Sequence, residues 1–319
     1  MDRWTGILKV PVRPRGISHC RIAASLCISR SSKVPIVPAA NAIFFLGDRV
    51  EGTGNPVIER LSDMQNVAEI LVSKFGASIN AWVIEASTFN GPFAVYKEFI
   101  PSLNKWGEPQ CYRPNGFPAS TSVITLLSKF LEERAKNIDQ GGDHHHASCT
   151  PSYPPKTIIL GFSKGGVVIN QLVTELAFAD DIQSTEDPTQ PKDGSFFKNP
   201  ILPSSRESLF DSISEIHYVD VGLNSPGAYL TDKTVIERIA EQVIRKEKPM
   251  RFVLHGTPRQ WRDPMRVWIR EEKDKLHQLL ESEAKKSGGR LQVCERMYFA
   301  NESPNLQMHF EIIEKLVVS

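Results

Sequence analysis

No apolar run in this chain approaches the roughly 20 residues that a membrane-spanning helix needs, so no transmembrane segment is expected. The five cysteines, Cys20, Cys27, Cys111, Cys149 and Cys294, are odd in number, scattered, and never spaced as C-x-x-C. That pattern argues against a disulfide framework and a zinc site, and points to a reducing compartment. There is no P-loop and no G-x-G-x-x-G, so no bound cofactor is expected. A net charge of +1 supplies neither a basic field for nucleic acid nor an acidic tail. What the chain does have is 319 residues with 40% hydrophobic content, enough for one large α/β domain or two small ones.

The beginning of the chain supports two readings. Residues 3–33 carry seven basic side chains, no acidic ones and several serines, the composition of an organelle transit peptide. Gly6 to Val12 and Arg21 to Ile28 also read as two early strands joined by a turn of proline, arginine and glycine. From residue 42 onward the pattern is regular. Strand-like runs at 42–46, 81–86, 157–160, 213–219, 251–255 and 291–299 alternate with helical spacings at 62–75, 120–136, 166–176, 232–246, a long stretch opened by Asp263-Pro264, and 309–317. Strands alternating with helices call for a mostly parallel central sheet with helices on both faces.

Two insertions interrupt the alternation, and no second domain is evident. Residues 87–118, rich in proline, glycine and aromatics, form a cap-like excursion too long for a connector. Their aromatics either line an acyl pocket or pack the cap onto the sheet. Residues 180–205 are polar and proline-dotted. The stretch 139–155, with a triplet at His144-His145-His146, reads as solvated low-complexity sequence rather than a metal site.

The chemistry centres on Gly161-Phe162-Ser163-Lys164-Gly165, placed between the strand Thr157 to Leu160 and a helix whose apolar face is Val168, Ile169, Leu172, Val173 and Leu176. G-x-S-x-G at a strand-to-helix junction is a nucleophile elbow, which lifts a serine hydroxyl clear of the sheet at the positive end of a helix. The alternative is a glycine-bearing turn in an ordinary βα unit. Counting two early strands, the elbow falls on the fifth strand, as in the α/β-hydrolase fold. Acyl transfer further needs a base, an orienting carboxylate and an oxyanion pocket. His309 is the only histidine beyond the last strand and is assigned as base, whereas His217 and His255 lie within strands and read as buried. Asp263, after His255-Gly256-Thr257, is the favoured acid, although Asp before Pro is also a helix-capping pair. Asp220, ending the preceding strand, is the alternative. The oxyanion donors expected are the N–H of Lys164 and that of Gly47 or Asp48. The Lys164 ammonium is expected to reach solvent rather than to draw an anionic substrate.

The elbow segment, Asn170-Gln171-Leu172 on the next helix turn, and Thr257-Pro258…Arg262-Asp263-Pro264-Met265-Arg266…Trp268-Ile269 together resemble a small eukaryotic family. Its animal member is a mitochondrial protein named after its open reading frame. The resemblance spans the chain from residue 42, and departs from the animal pattern in the early region and in 180–205. It implies an α/β-hydrolase fold, mitochondrial residence and a link to energy-storage metabolism, with a cytoplasmic location as the alternative. The sequence thus supports a serine hydrolase acting on an ester or thioester of a small acyl or lipid-like substrate, against a catalytically silent binding or scaffold protein that kept the fold.

Overall fold

The computed structural model describes residues 2–12, 18–137, 155–182 and 200–318. His144–His146 and residues 183–199 of the second insertion lie outside them. The described elements, in chain order, are β1 (Asp2–Pro11), β2 (His19–Ile28), β3 (Ala40–Phe45), α1 (Pro56–Ser62), α2 (Met64–Phe75), β4 (Ile79–Ile84), β5 (Thr88–Asn90) and β6 (Phe93–Val95). After these come α3 (Pro118–Lys136), β7 (Lys156–Phe162), α4 (Gly166–Ala177), α5 (Arg206–Ser212), β8 (Ile213–Val219), α6 (Lys233–Arg245) and β9 (Met250–Gly256). The chain closes with α7 (Pro258–Trp261), α8 (Val267–Lys286), β10 (Leu291–Met297) and α9 (Leu306–Lys315).

Eight strands form one sheet in the order β1-β2-β4-β3-β7-β8-β9-β10, and β5 and β6 make a separate hairpin. β2 runs antiparallel to both β1 and β4, while β3, β4, β7, β8, β9 and β10 are mutually parallel. This order, with a reversed second strand and an exchange of the third and fourth, is that of the α/β-hydrolase fold. β1 and β2 are integral to it: Val10, Cys20, Ile22, Ala24 and Leu26 sit in the larger core cluster.

Side chains of a strand alternate between faces, and β3 shows the consequence. Ile43 and Phe45 join the core beneath α3, α4, α6 and α8, whereas Ala42 and Phe44 join the one beneath α1, α2 and α9. Burial on both faces explains why these strands read as unbroken apolar runs.

Local chemistry sets the helix boundaries. Asp63 accepts from the Asn66 N–H and caps α2, and Asp232 caps α6 through the Thr234 N–H. α3 has no cap of its own, because Phe117 precedes it. The buried Glu175 carboxylate on α4 supplies one, accepting from Ala119 N, Ser120 N and Ser120 Oγ at 2.8, 2.9 and 2.7 Å. Burial raises the Glu175 pKa, while those donors and Gln171 pull against it. The long helix α8 starts at Val267, later than its sequence signal implies. Asp263 instead closes a turn on Met265 N and Arg266 N ahead of it.

Part of the excursion after β4 packs as core, while Trp106 stays exposed. Tyr96, Phe99 and Phe117 are buried, and Tyr96 and Phe99 meet Phe45 edge-on. Glu108 fastens the excursion to the loop after β8, accepting from Asn224 N and Ser225 Oγ.

Candidate active site

β7 ends at Phe162, a short 3-10 turn spans Ser163–Gly165, and α4 follows directly. Ser163 itself takes the strained conformation, with φ of 53°. A non-glycine residue in that region costs on the order of 1–2 kcal/mol and is held there only by its surroundings. The flanking glycine serves close approach instead. A Cβ on Gly165 would lie 2.2 Å from the Phe45 carbonyl oxygen, a backbone atom that cannot yield. Gly165→Ala is therefore expected to destabilise the fold by about 3 kcal/mol or more, measured by urea unfolding. A loss under about 1 kcal/mol would mean that the elbow is looser than drawn.

The loop after β3 lies on the serine. A Cβ on Gly47 would fall 2.5 Å from Ser163 Cβ and 3.0 Å from its Oγ. Asp48 follows Gly47 in this loop, and Lys164 follows Ser163 in the elbow.

The Lys164 side chain does not reach solvent, which corrects the sequence expectation. Its Nζ is buried, pairs with Asp48 Oδ1 at 3.0 Å and donates to the Trp106 carbonyl at 2.9 Å over the Phe93 ring. Asp48 Oδ1 also accepts from Ala94 N at 2.7 Å. One ion pair thus locks the loop after β3, the elbow and the excursion together.

His309 lies in the first turns of α9, after the Asn305 cap, and is buried. Its ring packs on Phe162, the residue before Ser163, with centroids 4.6 Å apart. Its Nδ1 meets Asp220 Oδ2 at 2.6 Å. Asp220 is fully buried, holds φ at 45°, and accepts from Thr257 N at 2.7 Å and Thr257 Oγ1 at 2.9 Å. A carboxylate only accepts, so His309 carries its proton on Nδ1 and leaves Nε2 as the basic nitrogen. No hydrogen bond joins Ser163 to His309 among the described residues.

Asp263, favoured from sequence, does not join this group. Its carboxylate receives Met265 N and Arg266 Nε at 2.8 Å each, and burial opposes but does not outweigh the pull of these donors, which lowers its pKa. His309 pairs with Asp220 instead, because β8 is the immediate neighbour of β7 whereas Asp263 lies beyond β9 and α7. Thr257 was missed by sequence reasoning. It stands in the sequence only as part of the segment around Asp263 and of the stretch carrying the resemblance, and its signal for this role is its position directly after β9.

His217 and His255 are buried as expected, but in a linear hydrogen-bond chain. Val317 N meets Tyr298 OH at 3.1 Å, Tyr298 OH meets His255 Nδ1 at 2.9 Å, His255 Nε2 meets His217 Nδ1 at 3.0 Å, and His217 Nε2 meets Glu215 Oε2 at 3.1 Å. Burial keeps both rings neutral and the Glu215 carboxylate only accepts, so His217 donates from Nε2 and accepts at Nδ1 from His255 Nε2, whose Nδ1 accepts from Tyr298 OH. Burial depresses both imidazoles, with the neighbouring His217, Arg296 and Arg251 adding to the effect at His255 and Glu215 opposing it at His217. Burial alone would raise Glu215, but hydrogen bonds from His217 and Arg251 together bring it to about 2.

The unfolded rings take up protons near pH 6.5 while the folded ones do not. Stability is therefore full above that pH and is lost as pH falls below it. From pH 7.5 to 5.5 the expected loss is about 1.4 kcal/mol for each ring that stays neutral. Urea titrations at the two pH values measure it, and His217→Gln/His255→Gln should flatten the dependence. An equally steep slope in that variant would assign it elsewhere.

Among known proteins, the family model C2orf69 matches residues 118–285, more than half of the chain. The mouse mitochondrial protein C2orf69 homolog is 26% identical over 289 residues, covering 79% of this chain and 69% of its own length. Human mitochondrial protein C2orf69 is 26% identical over 290 residues, covering 79% and 66%. The zebrafish homolog is 27% identical over 259 residues, covering 79% and 64%, so the chain spans about two thirds of the length of these relatives. Similar solved structures include a putative carboxylesterase from Lactobacillus plantarum, with 11% identity, a TM-score of 0.42 and coverage of 94% and 88%. Another is the feruloyl esterase module from Clostridium thermocellum, with 10% identity, a TM-score of 0.44 and coverage of 97% and 86%. These overlaps are loose, and the fold rests on the strand order. The matched family model, spanning α3 through most of α8 with the elbow inside it, makes the chain a member of the C2orf69 family.

Proposed function

We propose that the chain is a serine hydrolase that cleaves an ester or thioester of a small acyl or lipid-like substrate through an acyl-enzyme. The observation that carries this reading is the 2.6 Å contact between His309 Nδ1 and Asp220 Oδ2, with the His309 ring packed on Phe162, the residue before a serine held at positive φ on an elbow. Ser163 Oγ attacks the carbonyl carbon and His309 Nε2 takes its proton. Asp220, held by Thr257, keeps the imidazole in the tautomer that can do so. The N–H groups of Lys164 and Asp48, with Gly47 allowing close approach, receive the charge on the carbonyl oxygen. His309 then protonates the leaving alcohol or thiol. Water, deprotonated by the same nitrogen, releases the acid and restores Ser163. The scheme needs no cofactor.

Mitochondrial residence is proposed from the names of the mouse, human and zebrafish relatives. The rival reading, a silent hydrolase-like binding protein, draws on the lack of a Ser163–His309 hydrogen bond among the described residues. Such bonds often tighten only around substrate. A fluorophosphonate probe separates the two. Covalent labelling of folded protein is expected, and a folded protein that stays unlabelled at high probe concentration would leave the binding reading standing.

A further inference from the structure

A cavity of about 480 Å³ opens at the carboxyl edge of the sheet beside β2 and β4, lined by Lys9, His19, Arg21, Arg49, Glu85 and Phe89. Its cations are fixed in place. Glu85, nearly buried, spends one oxygen on each arginine: Oε2 on Arg21 Nη1 at 3.1 Å and Oε1 on Arg49 Nη2 at 2.6 Å. The Arg49 guanidinium also lies 4.0 Å above the Phe89 ring centroid. Each guanidinium has five N–H donors, so most of them stay available to a further acceptor.

Lys9 makes no ion pair among the described residues and sits directly opposite Arg21 in the β1–β2 register. Like charges facing each other across antiparallel strands destabilise a sheet, and nothing in the core requires this pair. Among the lining side chains three cations thus meet the single carboxylate of Glu85, while Glu51 pairs with Arg49 Nε at 3.6 Å from an exposed position and Glu98 accepts from the lining Ser18 and Ser87. A phosphate, with several acceptor oxygens, would suit two oriented guanidinium forks and the unpaired Lys9 better than a single carboxylate would.

The cavity also lies at a defined reach from the elbow. In the sheet order β2-β4-β3-β7, the strand bearing Arg21 is three spacings from the one ending at Phe162. At about 4.8 Å per spacing this is roughly 14 Å, and from β4 roughly 10 Å. Arg49 is two residues beyond Gly47, which touches Ser163.

We infer that this cavity binds the phosphate of an anionic acyl substrate whose scissile carbonyl lies some 10–14 Å from that phosphate. The inference rests on the hydrolase reading for its role, but anion binding itself does not. Calorimetric titration with octyl phosphate, on wild type and on Ser163→Ala, tests the cavity without requiring turnover. Binding of equal strength to both is expected, weakening with added salt. Arg21→Gln/Arg49→Gln should lower the affinity about tenfold or more. Because that variant leaves Glu85 unpaired, Lys9→Glu, at an exposed position, is the second arm and should weaken binding several-fold. Sedimentation with vesicles containing phosphatidate distinguishes a lipid headgroup from a soluble phosphate, with the same variants expected to release the protein. Binding of neither probe, or binding that both variants leave unchanged, would overturn the proposal. Binding by a protein that never labels with fluorophosphonate would keep the cavity and remove the hydrolase.

Discussion

Ser163→Ala is expected to abolish fluorophosphonate labelling and to lower ester turnover by about ten-thousandfold to a millionfold, the range seen when an activated serine is removed from an intact triad. The loss should fall on turnover rather than on folding. Alanine keeps the Cβ that packs against Gly47 and gives up only the hydroxyl. It also keeps the strained φ of 53°, so relief of strain is not expected to alter stability. Equilibrium unfolding of the variant should stay within about 1 kcal/mol of wild type. Residual rate above solvent hydrolysis should persist if the proposed Lys164 and Asp48 N–H donors receive the oxyanion, since the substitution leaves both in place. Full turnover by the variant would move the chemistry away from the elbow altogether.

The elbow was legible because its signal is local: a β-branched strand, two small residues and an amphipathic helix in direct succession. The place of the elbow on the fifth strand of the main sheet followed from the same alternation once two early strands were counted, whereas the exchange of β3 and β4 did not. What the sequence left open depends on pairings between distant segments. Asp220 and Asp263 both follow strands, and only the neighbour relation of β7 and β8 decides which one faces His309. Lys164 read as a solvated lysine because its counter-ion, Asp48, comes from the far side of two crossovers. The basic cavity was invisible for the same reason. Lys9, Arg21, Arg49 and Glu85 are isolated charges along the chain and meet only where β1, β2, β4 and the loop after β3 end together.

Strain and burial at the site point the same way. Ser163 and Asp220 are both non-glycine residues at positive φ, each at the carboxyl end of a sheet strand. Each conformation costs free energy, and persists because the neighbouring strands, the Lys164–Asp48 pair and the Thr257 hydrogen bonds over-determine it. Two such residues on adjacent strands, one carrying a hydroxyl and the other a carboxylate bonded to His309, are what the proposed hydrolase requires.

Asp220→Asn should therefore cost about ten-thousandfold in kcat/KM, while Asp263→Asn should change it less than about threefold. The asymmetry follows from what each oxygen accepts. Oδ1 of Asp220 receives the Thr257 N–H, and Oδ2 receives Thr257 Oγ1 and His309 Nδ1. In the asparagine variant the amide oxygen must stay on the Thr257 N–H, which can only donate, so the NH2 group turns to His309. That forces Nδ1 to accept and moves the ring proton to Nε2, where the imidazole can no longer take the serine proton. Asp263→Asn loses only the turn pairing with Arg266, whose side chain and the aspartate's are both partly solvated. Steady-state kinetics on a p-nitrophenyl ester, with fluorophosphonate labelling rates as a second readout, compare the two variants directly. Equal losses at both positions, or a loss at Asp263 alone, would mean that the imidazole takes its orientation from a different carboxylate during turnover than the one it touches at rest.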